Sequence, residues 1–172
     1  MSLNPHLETP ADVLAKVERE MVRAFHAESQ IARSDHFLNF CITAHSLRDY
    51  LLRFLGVPDD AAHPYHEQWS RSPEIRAMAD IANSSKHVSL RKVPQTRRVD
   101  RTTAGIVDIY ELPSGRLVPR HRTVDDLEVE MKDGTTTKTY ALMKQVVEFW
   151  KRELSVRGVP IRKQAEEELF AE

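Results

Sequence analysis

Phe37-Leu38-Asn39-Phe40-Cys41-Ile42-Thr43-Ala44-His45-Ser46-Leu47-Arg48-Asp49-Tyr50-Leu51-Leu52-Arg53-Phe54-Leu55 has apolar residues around most of a helical circumference. Only Asn39, Thr43, Ser46, Tyr50 and Arg53 make a polar strip. A helix that is apolar nearly all round is enclosed by other elements. The stretch therefore predicts the central helix of a bundle, from about residue 35 to 55, with Ser34-Asp35 as its cap and Gly56 before Val57-Pro58 as its stop. Upstream, Thr9-Pro10-Ala11-Asp12 has the form of a helix start, with an N-cap, a proline at the first turn and an acid three residues after the cap. Leu14, Val17, Met21, Phe25, Glu28 and Ile31 follow at steps of three and four. They predict a first helix to about residue 32, or one bent helix running on into the second.

Downstream comes a loop rich in Asp, Pro and His, in which His63 and His66 read as loop histidines. Ser72-Pro73-Glu74 then opens a third helix of about 73–86, with Ile75, Met78, Ala79 and Ala82 turned inward. From 88 to 140 the period becomes two. Segments 105–112 and 116–124 flank Pro113-Ser114-Gly115, and 127–131 and 135–140 flank Asp133-Gly134, so two hairpins are expected. Leu142, Met143, Val146, Val147, Phe149, Trp150 and Leu154 restore a helical stripe that ends at Gly158, and Pro160 opens a short polar tail helix. Tyr65, Trp69, Phe149 and Trp150 read as core or interface aromatics. The expected fold is α+β, mainly α: about four main helices with a small antiparallel β-meander inserted before the last long helix. One domain spans 1–172, with a helical core at about 9–87, the meander at about 88–139 and C-terminal helices at about 140–171.

Composition narrows the function classes. With 172 residues, 41% of them hydrophobic, the chain suits one domain with a real core. A formal net charge of -1 gives no overall attraction to nucleic acid or acidic membranes. The single cysteine, Cys41, excludes an intramolecular disulfide and lies in an apolar run. Met1-Ser2-Leu3-Asn4-Pro5-His6 has no apolar signal core, and no run approaches the roughly 18 apolar residues of a membrane span. A cytoplasmic protein without membrane contact is expected. No phosphate loop, metal signature or catalytic triad pattern is present, so no cofactor and no metal are expected.

Asp80-Ile81-Ala82-Asn83-Ser84-Ser85-Lys86-His87 is the run hardest to explain as plain surface. At about 100° per residue, Arg76, Asp80, Asn83 and His87 share one stripe beside the apolar face of the third helix. On the central helix His45 and Asp49 flank the apolar arc, and Arg48 points near its centre. An unpaired guanidinium is too costly to bury, so Arg48 is expected to meet a carboxylate, with Asp80 the candidate, or a ligand. Antiparallel packing of the two helices would gather His45, Arg48, Asp49, Asp80, Asn83 and His87. The favoured reading of that gathering is a polar network fixing helix register, with Asn83 and Lys86 capping the helix end. The alternatives are a binding or catalytic cleft, and a metal site on His45 and Asp49, which lacks the further ligands such a site needs.

Ala44-His45-Ser46-Leu47-Arg48-Asp49-Tyr50-Leu51, Trp69, Asp80-Ile81-Ala82-Asn83 and Lys86-His87 resemble a group of bacterial helical proteins without assigned activity that carry a similar two-helix pattern. The resemblance covers roughly 36–90. The two-helix core is also faintly similar to HEPN domains, which are commonly RNA endonucleases or toxin-antitoxin components with an Arg, four to six residues, then a His. That resemblance implies His87, Asn83 and Arg48 as catalytic candidates, with the His87 imidazole as acid or base. The chain departs from the pattern. Arg76 precedes His87 by eleven positions, about 16 Å along a helix, so Arg48 would have to supply the cation.

Charge is segregated in the strand-rich middle. Residues 91–122 hold Arg91, Lys92, Arg97, Arg98, Arg101, Arg116, Arg120 and Arg122 against Asp100, Asp108 and Glu111, and 125–130 is acidic. This pattern suits edge protection of a small sheet, a protein or RNA partner, or a homodimer in which acidic and basic runs of two copies meet. Tyr110 alone is available there for base stacking. Taken together, the residues lead to a non-enzymatic interaction or regulatory module, with a HEPN-like, metal-independent ribonuclease or toxin-antitoxin component as the alternative.

Overall fold

The computed structural model describes residues 6–85 and 94–161. Lys86, His87, Arg91, Lys92 and the expected tail helix lie outside the described residues. Within them, five α-helices surround and follow one another as α1 (Pro10–His26), α2 (Gln30–Phe54), α3 (His63–Trp69), α4 (Pro73–Ser84) and α5 (Thr139–Val156). A three-stranded antiparallel meander, β1 (Thr96–Glu111), β2 (Leu117–Met131) and β3 (Thr136–Lys138), is inserted before α5. The fold is α+β and mainly α, as the periodicities predict.

Local chemistry sets the helix ends. Thr9 accepts from the Asp12 N–H, and the Asp12 carboxylate accepts from the Thr9 N–H, a reciprocal capping box. At the other end of α2, Gly56 takes φ +66, and Val57 and Gly56 donate to the carbonyls of Leu52 and Arg53. That Schellman turn needs a left-handed residue, which glycine adopts without a Cβ penalty.

The first helix stops earlier than its apolar spacing predicts. Ser29, not Ser34, caps α2 by accepting from the Ala32 N–H, so the chain turns at Ala27-Glu28-Ser29. Phe25 and Ile31, which the spacing placed on the inner stripe, are exposed. The inner face of α1 is instead Val13, Leu14, Val17, Glu20 and Ala24. The loop before the third main helix also differs: a 3-10 turn at Asp59–Ala61 leads into α3, with Pro64 in its first turn. A seven-residue helix carries too little periodicity to announce itself, and burial of Trp69 against Trp150 holds it, with ring centroids 5.4 Å apart.

One core joins the layers. Phe37, Phe40, Ala44, Leu47 and Leu51 of α2 pack with Val17 of α1, Met78 of α4, Val146 and Trp150 of α5 and Val129 of β2. The central helix is not fully enclosed: Leu38 and Ile42 are half-buried, and Phe54 is exposed.

The meander departs most from expectation. The segments read as two strands, 116–124 and 127–131, are one continuous β2, because Asp125-Asp126 does not turn the chain. Asp126 is buried and faces Arg33, so its charge is answered inside the fold. β1 and β2 therefore form a long two-stranded ribbon, in register from Arg98↔Glu130 to Glu111↔Leu117. At its tip Leu112 donates to the Arg116 carbonyl and Gly115 donates to the Leu112 carbonyl, with Gly115 at φ +76. This is a three-residue hairpin loop whose bulge position requires the left-handed conformation.

Candidate functional site

The sequence-predicted residues divide into two places. His45, Arg48 and Asp49 lie on α2, Asp80 and Asn83 on α4. The Asp80 carboxylate accepts from the Gln95 and Thr96 N–H groups, the latter at 3.1 Å. It thus satisfies the first donors of β1, and the expected Arg48–Asp80 pair does not form. A strand entering the sheet with unpaired N–H groups competes for the nearest carboxylate, a demand invisible from helix geometry alone. Nor does Asn83 cap its helix: the Ser84 and Ser85 hydroxyls donate to the carbonyls of Ile81 and Ala82, each at 2.7 Å. Asp80→Ala is expected to cost about 1–3 kcal/mol by stranding two strand-entry donors. Urea unfolding measures it, and no change would show that water replaces the carboxylate.

Arg48 has a different companion. Its Nη2 lies 2.8 Å from His45 Nε2, and its Nε donates to the His45 carbonyl at 3.1 Å. Among the described residues no carboxylate lies within ion-pair distance of it, and burial lowers the guanidinium from its ordinary range, with nearby Asp49 opposing. A guanidinium only donates, so in this contact His45 Nε2 is the acceptor.

The group that approaches Arg48 is one the sequence assigned to a loop. His66 on α3 lines a cavity of about 510 Å³ with Asp49, Arg53, Gly56 and Asp59. Burial, and then the charge of Arg48, lower the His66 imidazole from its ordinary range; Asp49 opposes and His63 assists. His66 Nδ1 is buried and has no hydrogen-bond partner among the described residues. Pro64, an early-helix residue, and the aromatic pair Tyr65 and Trp69 at helical spacing were the signals that could have placed His66 on a helix.

A histidine whose folded form resists protonation binds fewer protons than the unfolded chain near its ordinary range. Stability is then expected to fall as pH drops through the ordinary histidine range, until the folded protein also protonates. His66→Gln should flatten that part of a stability-versus-pH curve. An unchanged slope would assign the dependence elsewhere.

Two further polar assemblies lie outside this cavity. Glu20 is buried on α1 and is met by Lys16 and Arg23, each at 3.3 Å, and by His36 Nδ1 at 3.1 Å. Burial acts to raise its carboxyl, but His36 and the two cations outweigh it and hold it low. Arg33 and Asp126 face each other at 3.5 Å where the α1–α2 corner meets β2. They stand beside a cavity of about 580 Å³ that also touches Phe25, Ile106, Asp108 and Arg122. Among the described residues, no cluster of three His, Cys, Asp or Glu side chains could hold a metal ion, and no helix is long and apolar enough to cross a membrane.

The basic stretch of the ribbon is partly neutralised. Arg97 and Arg98 pair with Glu130, and Arg122 with Asp108. Arg120 lies over the Tyr110 ring at 5.9 Å. The chain matches no known protein family, no curated protein and no solved structure.

Proposed function

We propose that this chain is a non-enzymatic interaction module whose contact element is the outer half of the β1–β2 ribbon. The observation that carries this reading is an apolar surface left exposed among the described residues. Val107, Ile109 and Leu117 are 52%, 68% and 63% exposed. Strand alternation places them on one face with Pro119, since Ile109 is opposite Pro119 and Glu111 opposite Leu117. An isolated two-stranded ribbon is marginal in water, and a contiguous exposed apolar face marks an interaction site. Replacing 105–123 by a two-residue Asn-Gly turn should leave the helical circular dichroism and the cooperative unfolding of the body in place, because the outer ribbon packs mainly on itself. Collapse of the helical signal would refute the reading, since the ribbon would then be part of the core.

A second reading, a HEPN-like metal-independent ribonuclease, draws on one observation: Arg48 is half-buried beside His45 and His66 with no carboxylate of the described residues within ion-pair distance. Incubation with RNA in EDTA separates the two readings. The interaction module leaves the RNA intact, whereas cleavage above the background of Arg48→Ala and His66→Ala would replace it by the nuclease.

A further inference from the structure

The outer ribbon has two free edges, and a proline interrupts only one of them. Leu112 bonds inward to Arg116, so in the ladder the even residues of β1 bond β2, while the odd ones turn their N–H and C=O groups away from it. The second hairpin gives the same phase: Met131 bonds Thr135, which turns Val129 toward β3 and Glu128 toward β1. Pro119, opposite Ile109, thus faces outward and removes a donor from the free edge of β2. On β1 the outward groups of Gly105, Val107, Ile109 and Glu111 have no strand beside them among the described residues, since β1 ends the sheet. No proline interrupts β1, and its one irregularity lies at Thr96/Arg98, away from this outer part. Such an edge is a template for another strand.

Charge selects the occupant. Arg101 and Glu111 are both exposed, both on odd positions, and neither has an ion-pair partner among the described residues. They stand symmetrically about Ile106. We propose that β1 pairs antiparallel with β1 of a second copy across a two-fold axis at Ile106, forming one six-stranded sheet. In this register Arg101 faces Glu111 of the other copy twice, Thr103 faces Ile109, Gly105 faces Val107 and Ile106 faces itself. A parallel arrangement would set like charges side by side. The inference rests on the reading of the ribbon as the contact element and names its partner.

The axis makes a sharp test. Two Ile106 residues facing each other in a non-hydrogen-bonded pair have Cα atoms about 4.5 Å apart, within the range of a disulfide. Cys41 is fully buried, and burial pushes its thiol up, so it does not compete. Ile106→Cys should form a covalent dimer on mild oxidation, whereas Ile109→Cys should not, because its partner is Thr103. By light scattering across a range of concentrations the native chain should have twice the monomer mass. Arg101→Glu or Glu111→Arg should weaken the dimer about tenfold or more, and the two together should restore it. Val107→Pro should abolish it while leaving the internal ladder intact. A monomer at every concentration overturns the inference without touching the body-folding test of the ribbon reading. A dimer indifferent to both charge reversals, or cross-linked through Ile109→Cys and not Ile106→Cys, overturns it as well.

Discussion

Arg33→Ala is expected to lower the unfolding free energy by about 3–5 kcal/mol, the usual cost of leaving a buried charge without its counterion. Arg33 and Asp126 are 8% and 6% exposed and 3.5 Å apart. The guanidinium also donates to the Ala27 carbonyl at 3.0 Å, where α1 ends, and Gln30 reaches the Asp126 carbonyl at 3.4 Å. The pair thus pins the strand that carries the ribbon to the corner between α1 and α2. With Arg33 truncated, Asp126 must stay charged in a poorly solvated place or take up a proton, and the corner carbonyl loses its donor. An apolar replacement of both groups, Arg33→Met with Asp126→Leu, should recover most of the loss, because neither charge then needs desolvation. The Arg33 Nε, buried without a partner, shows that the pairing is incomplete. A double-mutant cycle in urea decides the matter: a loss below about 1 kcal/mol for Arg33→Ala would place the pair among exposed ones.

The features legible in the sequence are those set by neighbours along the chain. Thr9 to Asp12, Gly56 and Gly115 each act within a few residues, so their capping or turn chemistry could be read from residue type and spacing. The apolar stripe of α5 is equally local, since every member is tied to the next by helical periodicity. The unread features are pairings made by folding. Asp126 looked like a break between strands because an acid in a strand is unfavourable until a cation from another element meets it, and Arg33 was indistinguishable from a surface arginine. Asp80 looked like half of a site for the same reason: its partners are backbone donors, which every residue carries and no sequence advertises. Glu20 sits on the buried face of α1, where pattern alone anticipates a hydrophobe, and only the packing of Lys16, Arg23 and His36 around it explains its presence. The site residues followed the same rule. His45, Arg48 and Asp49 share one helix, as the apolar periodicity around them predicts, while the helical position of His66 is not legible because a short helix gives a weak pattern.

Trp150→Ala should cost about 3–5 kcal/mol, whereas Trp150→Phe should cost much less. Trp150 is fully buried and is met edge-on by Trp69 and Phe149, each with centroids 5.4 Å away. Truncation to Ala removes the largest side chain joining α5 to α3, and the surrounding layers cannot close the space without moving a helix. Its indole N–H, however, is buried with no acceptor among the described residues, so phenylalanine removes an unsatisfied donor along with one ring. Trp69 provides the opposite case. Its N–H donates to Glu153 at 2.6 Å, and Glu153 is itself paired with Arg157 at 2.6 Å, with Arg157 over the Trp69 ring. Trp69→Phe therefore loses a charge-assisted bond, leaves a carboxylate with one partner fewer, and should cost more than Trp150→Phe although both substitutions delete the same atoms. Thermal or urea unfolding of the three variants gives the order. Equal costs for the two phenylalanine variants would mean that ring volume alone governs this layer and that the hydrogen bond to Glu153 adds no net stability.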